Sequence, residues 1–104
     1  MTELVEFEID REQHGTTVRL VVAGELDIAT APEFRERCAR ELGNGAQLIV
    51  LDLSKVTFMD SSGLHALLGA HKNDSGRLRI IISPAVTRVI DISGVRGLLP
   101  IVQG

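Results

Sequence analysis

Residues 48–71 read LIVLDLSKVTFMDSSGLHALLGAH, and their pattern restricts the possible folds more than any other part of the sequence. Residues 48–53 are almost entirely apolar, which is typical of a central strand covered on both faces. From Leu64 onward, apolar side chains recur at the one-face spacing of a helix, at Leu64, Leu67 and Leu68. The stretch therefore predicts a buried strand, a short junction and a helix over residues 62–73.

The chain before this stretch predicts a hairpin and a helix. Apolar and polar residues alternate at Val5, Phe7 and Ile9 and again over residues 18–22, with the turn-forming Gln13-His14-Gly15 between them. A helix over 31–42 follows, with Pro32 in its first turn and glycines at its end. Thr30 and Glu33 have the spacing of a capping box, in which each side chain bonds the other's backbone N–H.

The chain after this stretch predicts a turn at 74–76, a strand over 78–82, a helix over 84–92 and a last short strand over 98–102. Pro84 is suited to the first turn of that helix, and Gly94 to the position after its end. Strands that alternate with helices form right-handed crossovers and a parallel sheet. We therefore predict one α/β domain over residues 1–104. Its mixed sheet of about five strands has an N-terminal hairpin and a parallel centre, with helices mainly on one side.

Composition narrows the range of functions. The 104 residues suffice for one hydrophobic core, and the net charge of −3, without a basic stripe, argues against direct nucleic-acid binding. The sequence has no apolar run of about 18 residues and no basic, apolar leader after Met1, so we expect a cytoplasmic protein without a membrane span.

The cysteine and the three histidines do not suggest a metal site or a cofactor. Cys38 falls on the apolar face of the predicted helix 31–42, where a thiol behaves as a small hydrophobe. His14, His65 and His71 lack the Cys or carboxylate neighbours that enclose zinc. We predict neither a metal nor a cofactor.

The junction Asp60-Ser61-Ser62-Gly63 has two readings. Asp and Ser are the commonest N-cap residues, so these residues could simply cap the helix. Alternatively, a serine hydroxyl here could accept a phosphate, because the unpaired N–H groups and the positive dipole end at a helix N-terminus favour negative charge. The residues alone leave both readings open.

Catalysis by these serines is not expected. A hydrolase elbow reads Gly-x-Ser-x-Gly, and here Met59 or Asp60 stands where the first glycine belongs. His65 follows Ser62 closely but has no evident carboxylate to orient it. The Gly-rich loop that ends in Lys and Ser or Thr and binds nucleotide phosphates is also missing. We predict that the protein is not an enzyme and has no catalytic residues.

Three segments together resemble the STAS domain, and within it the bacterial anti-sigma factor antagonists. They are Phe58–Leu64 (FMDSSGL), Gly24-Glu25-Leu26-Asp27, and Ile82–Val86 (ISPAV), and they come in the family's order over most of the chain. In that family the second serine of Asp-Ser-Ser-Gly is phosphorylated, which here is Ser62. The family's acidic residue at the end of the second strand corresponds to Asp27.

The resemblance implies a partner switch. The unphosphorylated protein would bind an anti-sigma factor serine kinase, of the histidine-kinase-like ATPase fold, and release a sigma factor. Phosphorylation of Ser62 would end the binding, and a serine phosphatase would reset it. The partner-binding residues would be Asp27, Asp60, Ser61, Ser62 and Gly63. An alternative within the same family is a scaffold or accessory subunit of a lipid-transport ATPase complex or a stress-signalling assembly.

The resemblance also implies a further C-terminal helix, which has no counterpart in residues 1–104. Either that helix is dispensable, or another surface covers this part of the sheet, such as a second copy of the chain in a homodimer, or residue 104 is a boundary beyond which the helix follows.

Overall fold

The structure, a computed structural model, describes residues 7–74 and 76–103. The predicted strand residue Val5 and the turn residue Ser75 lie outside the described residues. Within them the elements are, in order, β1 (Phe7–His14), β2 (Thr17–Leu26), α1 (Ala31–Gly43), β3 (Leu48–Met59), α2 (Ser61–Lys72), β4 (Leu78–Ile82), α3 (Pro84–Ser93) and a 3₁₀ turn (Arg96–Leu98).

In the described part of the chain the strands form one sheet in the order β1-β2-β3-β4. The β1–β2 pair is antiparallel, and β2–β3 and β3–β4 are parallel. One face of β2, β3 and β4 is buried, because α1 and α2 pack together above the sheet and α3 packs on β3. The residues buried there include Val18, Leu20, Val22, Ile49, Leu51, Leu78 and Ile80. The α/β class, the N-terminal hairpin, the parallel centre and the helices on one side are confirmed.

The predicted strand over 98–102 is wrong. Residues Arg96–Leu98 form a 3₁₀ turn, and only an isolated bridge joins Ile101 to Ile80. The Pro100 carbonyl accepts a hydrogen bond from Ile80 N at 3.0 Å. Pro100 has no N–H to donate, so it cannot form the second hydrogen bond that a regular strand residue would make. The described sheet therefore has four strands and one bridge where about five strands were predicted.

Strand β3 is longer than predicted. It runs to Met59, past the expected end at residue 53, because β2 continues to pair with it as far as Leu26 and Met59. Two register shifts in this pairing adjust the strands, and Val56 and Met59 remain buried. The junction before α2 is therefore Asp60 alone.

The capping box predicted at Thr30 is also wrong. The Thr30 side chain makes no cap bond to α1, and its hydroxyl donates to the Glu25 carbonyl at 2.8 Å. Cys38 behaves as predicted, because it is buried on the inner face of α1. Burial raises the pKa of its thiol to about 12, with Arg37 opposing the shift and Glu41 adding to it.

Candidate functional site

The candidate site lies at the sheet edge where β2 and β3 end. The two strands run parallel to each other, and their last residues, Leu26 and Met59, lie opposite one another in the sheet. Asp27 directly follows the first of these strands and Asp60 the second. The backbone N–H of Asp60 donates to the Leu26 carbonyl at 3.3 Å, which ties the two strand ends together. Two carboxylates far apart in the chain are thus brought to one edge.

Asp60 is the N-cap of α2. Its backbone is extended, and its Oδ1 accepts hydrogen bonds from Ser62 N at 2.8 Å and Gly63 N at 3.1 Å. These bonds satisfy two of the N–H groups that a helix start leaves without partners. The capping interpretation is therefore confirmed for Asp60, whereas Ser61 and Ser62 are the first two residues of the helix.

The hydroxyls of Ser61 and Ser62 make no hydrogen bond within residues 7–74 and 76–103. Ser61 is exposed and Ser62 is half-buried. Both stand at the positive end of the α2 dipole, which favours an added negative charge. The site therefore presents two unbonded hydroxyls where a phosphate would be electrostatically tolerated, and phosphorylation of Ser62 stays a prediction.

Gly63 allows α2 to start directly against the end of β2. A Cβ built on Gly63 would collide with the Leu26 carbonyl oxygen, and it would lie 2.9 Å from Leu26 Cγ and 3.1 Å from Met59 Cγ. A real Cβ would force the strand end and the helix apart. Gly63 therefore fixes how closely the serines approach the loop that follows β2, and its predicted contact with a partner is not tested.

Asp27 stabilises the loop between β2 and α1. Its Oδ1 accepts from Ala29 N at 3.0 Å and from Thr30 N at 3.1 Å. Its own N–H donates to the Thr30 hydroxyl oxygen at 2.9 Å. Asp27 therefore holds the turn before α1, and its role in partner binding remains a prediction.

Sequence reasoning missed two exposed apolar side chains at this edge. Ile28 follows Asp27 and is 76 % exposed, and Phe58 precedes Met59 and is 47 % exposed. Their exposure could have been predicted from their position, because each is a large apolar residue beside a predicted loop and outside any periodic apolar pattern.

The two histidines of α2 have different surroundings. His65 is exposed and has no carboxylate bonded to it in the described chain. His71 does contact a carboxylate, with Nδ1 2.7 Å from Asp74 Oδ2, but both lie at the opposite end of α2. Over residues 7–74 and 76–103 no group of three His, Cys, Asp or Glu side chains is arranged to hold a metal.

The described helices are all too short or too polar to cross a membrane.

The sequence matches known proteins along most of its length. The STAS domain family model matches residues 8–103. An anti-sigma-B factor antagonist of Bacillus subtilis (strain 168) is 30 % identical over 101 residues, which cover 93 % of this chain and 92 % of that protein. One from Staphylococcus aureus (strain NCTC 8325) is 32 % identical over 87 residues, covering 80 % of this chain and 81 % of that protein.

The fold is similar to solved structures of the same kind. An anti-sigma factor antagonist from Mycobacterium paratuberculosis superposes with a TM-score of 0.83 and 26 % identity, over 91 % of this chain and 84 % of that one. The antagonist SpoIIAA in its unphosphorylated form gives 0.75 and 25 %, over 93 % and 88 % of the two chains. The phosphorylated form of Bacillus SpoIIAA gives 0.69 and 25 %, over 94 % and 90 %. With the family model matched from residue 8 to residue 103, this chain belongs to the STAS domain family.

Proposed function

We propose that this protein is an anti-sigma factor antagonist with Ser62 as its phosphoacceptor. Unphosphorylated, it binds an anti-sigma factor serine kinase and releases the sigma factor. The observation that carries the proposal is the unbonded Ser62 hydroxyl in the first turn of α2, beside the Asp60 cap. Support comes from the curated relatives, which are named anti-sigma-B factor antagonists.

The switch acts through charge in the interface. A kinase that phosphorylates Ser62 must bring the terminal phosphate of ATP to the serine hydroxyl. After transfer, a phosphoserine with about −1.5 to −2 charges faces the remaining diphosphate of the nucleotide. Repulsion between these groups, with the cost of desolvating the new charge, separates the partners, and the kinase recaptures sigma. A serine phosphatase restores the neutral hydroxyl.

The phosphate is accommodated without a change of fold. It would lie at a helix N-terminus, where the dipole and the backbone N–H groups favour an anion. In agreement with this, the unphosphorylated and phosphorylated forms of SpoIIAA both resemble this chain. In this cycle the protein is a substrate of the kinase and makes no direct contact with DNA.

The acceptor is tested first. The unphosphorylated protein is used as bait in a pull-down from its native cell, and the captured kinase is identified by mass spectrometry. With that kinase and ATP, we expect one phosphate per chain on Ser62, located by peptide mapping. Ser61→Ala should still be phosphorylated, whereas Ser62→Ala should not. Phosphate on Ser61, Thr57 or Ser54 with Ser62 unmodified would show that the acceptor is wrongly assigned.

The switch is tested by calorimetry with the same kinase. Ser62→Ala should bind like the wild type, because it keeps a small neutral side chain at the contact. Ser62→Asp should bind more weakly by about 1–3 kcal/mol, because a charge is buried without a partner. Ser93→Asp adds the same charge at the exposed end of α3 and serves as the control. Equal affinity of Ser62→Ala and Ser62→Asp would refute a switch based on charge at Ser62.

A further inference from the structure

A groove of about 220 Å³ lies between α1 and α2, which pack side by side. Each helix connects two parallel strands, so the two helices run in the same direction and both begin at the sheet edge that carries Ser62. Helix α1 lines the groove from Arg35 to Leu42, and α2 lines it from Ala66 to Asn73. Arg35 and Ala66 are therefore the lining residues nearest to that edge.

Ser62 lies on the face of α2 that lines this groove. The groove residues of α2 have the spacing of one helical face, at Ala66, Gly69, Ala70 and Asn73. Ser62 precedes Ala66 by four residues, so it lies on the same face, one turn or about 5.4 Å closer to the helix start. In agreement with this, Ser62 is half-buried whereas Ser61 is exposed. A phosphate on Ser62 would therefore lie at the mouth of the groove.

Arg35 provides a positive charge next to this position. Among the side chains of the described residues that line the groove, that of Arg35 is the only charged one. It is exposed and makes no hydrogen bond or ion pair within residues 7–74 and 76–103. Side chains of an α-helix lean toward its N-terminus, so the Arg35 side chain lies toward the end of the groove where Ser62 stands. A guanidinium can bind a phosphate through two parallel N–H···O bonds.

The other charged groups beside Ser62 repel a phosphate. Asp60 Oδ1 lies 2.8 Å from Ser62 N, and Asp27 follows the neighbouring strand end. A phosphoserine adds about −1.5 to −2 charges to these carboxylates. Arg35 would offset part of this charge, and the negative charge that remains would still oppose the kinase.

We propose that Arg35 binds the phosphate on Ser62, so that an arginine of the same domain stabilises the phosphorylated form. The proposal rests on the function proposed above and adds a residue that acts only after phosphorylation. Because Arg35 has no such partner in the unphosphorylated protein, its removal should have little effect until Ser62 carries a phosphate.

The test uses protein with phosphoserine incorporated at position 62 during translation, so it does not depend on a kinase. Arg35→Gln is compared with Arg88→Gln, because Arg88 is also exposed and is the fifth residue of α3, as Arg35 is of α1, but does not line the groove. The pKa of the phosphate is measured by ³¹P NMR titration. A nearby positive charge lowers this pKa, so Arg35→Gln should raise it by about 0.5 or more. Arg88→Gln should leave it unchanged, and Arg35→Lys, which keeps the charge, should raise it less than Arg35→Gln.

His65, three residues after Ser62 and exposed, is the other side chain nearby that can carry a positive charge. His65→Gln is therefore titrated in the same way. A phosphate pKa that rises in His65→Gln but not in Arg35→Gln would assign the phosphate to the imidazole and overturn the proposal.

Urea denaturation with and without the phosphate gives a second readout. Unphosphorylated Arg35→Gln should unfold at the same urea concentration as the wild type, and phosphorylated Arg35→Gln at a lower concentration than phosphorylated Arg88→Gln. The same phosphate pKa and the same unfolding midpoint in both phosphorylated variants would overturn this inference. The proposed function fails on a different result, the absence of phosphate on Ser62 after incubation with the captured kinase and ATP.

Discussion

The Asp27 carboxylate stabilises the turn before α1, so its proposed role in partner binding must be separated from its structural role. Asp27→Ala removes the acceptor of two backbone hydrogen bonds, and we expect it to lower the free energy of unfolding by about 1–2 kcal/mol. Asp27→Asn keeps an oxygen at the same position and should lose less than about 0.5 kcal/mol. Urea denaturation measures both.

The two variants also decide what the charge of Asp27 does. Asp27→Asn that is as stable as the wild type but binds the kinase more weakly would show that the carboxylate contacts the partner. Asp27→Ala with wild-type stability would contradict the turn role that its hydrogen bonds indicate.

Helix α2 contains one glycine that is closely packed, Gly63, and one that is not, Gly69. Comparing alanine substitutions at the two positions tests how the start of α2 is positioned. A Cβ on Gly63 would collide with the Leu26 carbonyl, whereas a Cβ on Gly69 would meet no atom within 4 Å. We expect Gly63→Ala to destabilise the protein by about 1–3 kcal/mol through overpacking. Gly69→Ala should stabilise it by up to about 1 kcal/mol, because alanine has the higher helix propensity.

Chemical denaturation of both variants checks this prediction. The kinase assay adds a functional readout, because a displaced start of α2 should also slow phosphorylation of Ser62. Equal stability of Gly63→Ala and Gly69→Ala would show that the junction can relax and that Gly63 is not required for the close approach.

Stability of the whole domain should depend on pH through Asp52, on the sheet face away from the helices. Asp52 is buried, and burial alone would raise the pKa of its carboxyl. Hydrogen bonds from the Ser54 hydroxyl and backbone N–H, and the Arg19 guanidinium, outweigh burial and hold that pKa below its ordinary value of 3.8. Because the pKa of this carboxyl is lower in the folded protein than in the unfolded chain, Asp52 stabilises the folded state at pH values above 3.8. This stabilisation is lost as the pH falls from 3.8 through the pKa of the folded state.

We therefore expect the free energy of unfolding to drop between about pH 6 and about pH 3, and to drop less in Asp52→Asn, which cannot gain the proton. Urea denaturation of both proteins at these two pH values measures the difference. The same pH dependence in both would mean that other carboxylates dominate acid unfolding. Arg19 is partly exposed, so added salt should reduce the effect.

The elements whose contacts are local could be predicted from the amino-acid sequence. Helix α1 was predicted over 31–42 and spans Ala31–Gly43, and β4 has its predicted bounds. Helix α3 begins at Pro84 as predicted and ends one residue later than expected, with Gly94 in the left-handed conformation after it. Caps and helical periodicity involve residues within a few positions of one another, so the sequence shows them directly. It also placed Asp60, Ser61 and Ser62 at a helix start.

Features that depend on residues distant in the chain became visible in the folded structure and could not be predicted. Strand β3 extends to Met59 because Leu26 pairs with it, and the Thr30 hydroxyl bonds the Glu25 carbonyl instead of capping α1. The requirement for glycine at position 63 arises from the end of β2, and the exposure of Ile28 from a loop that leaves it uncovered. These outcomes depend on which atoms the fold brings together across the sheet, and local sequence patterns do not contain that information.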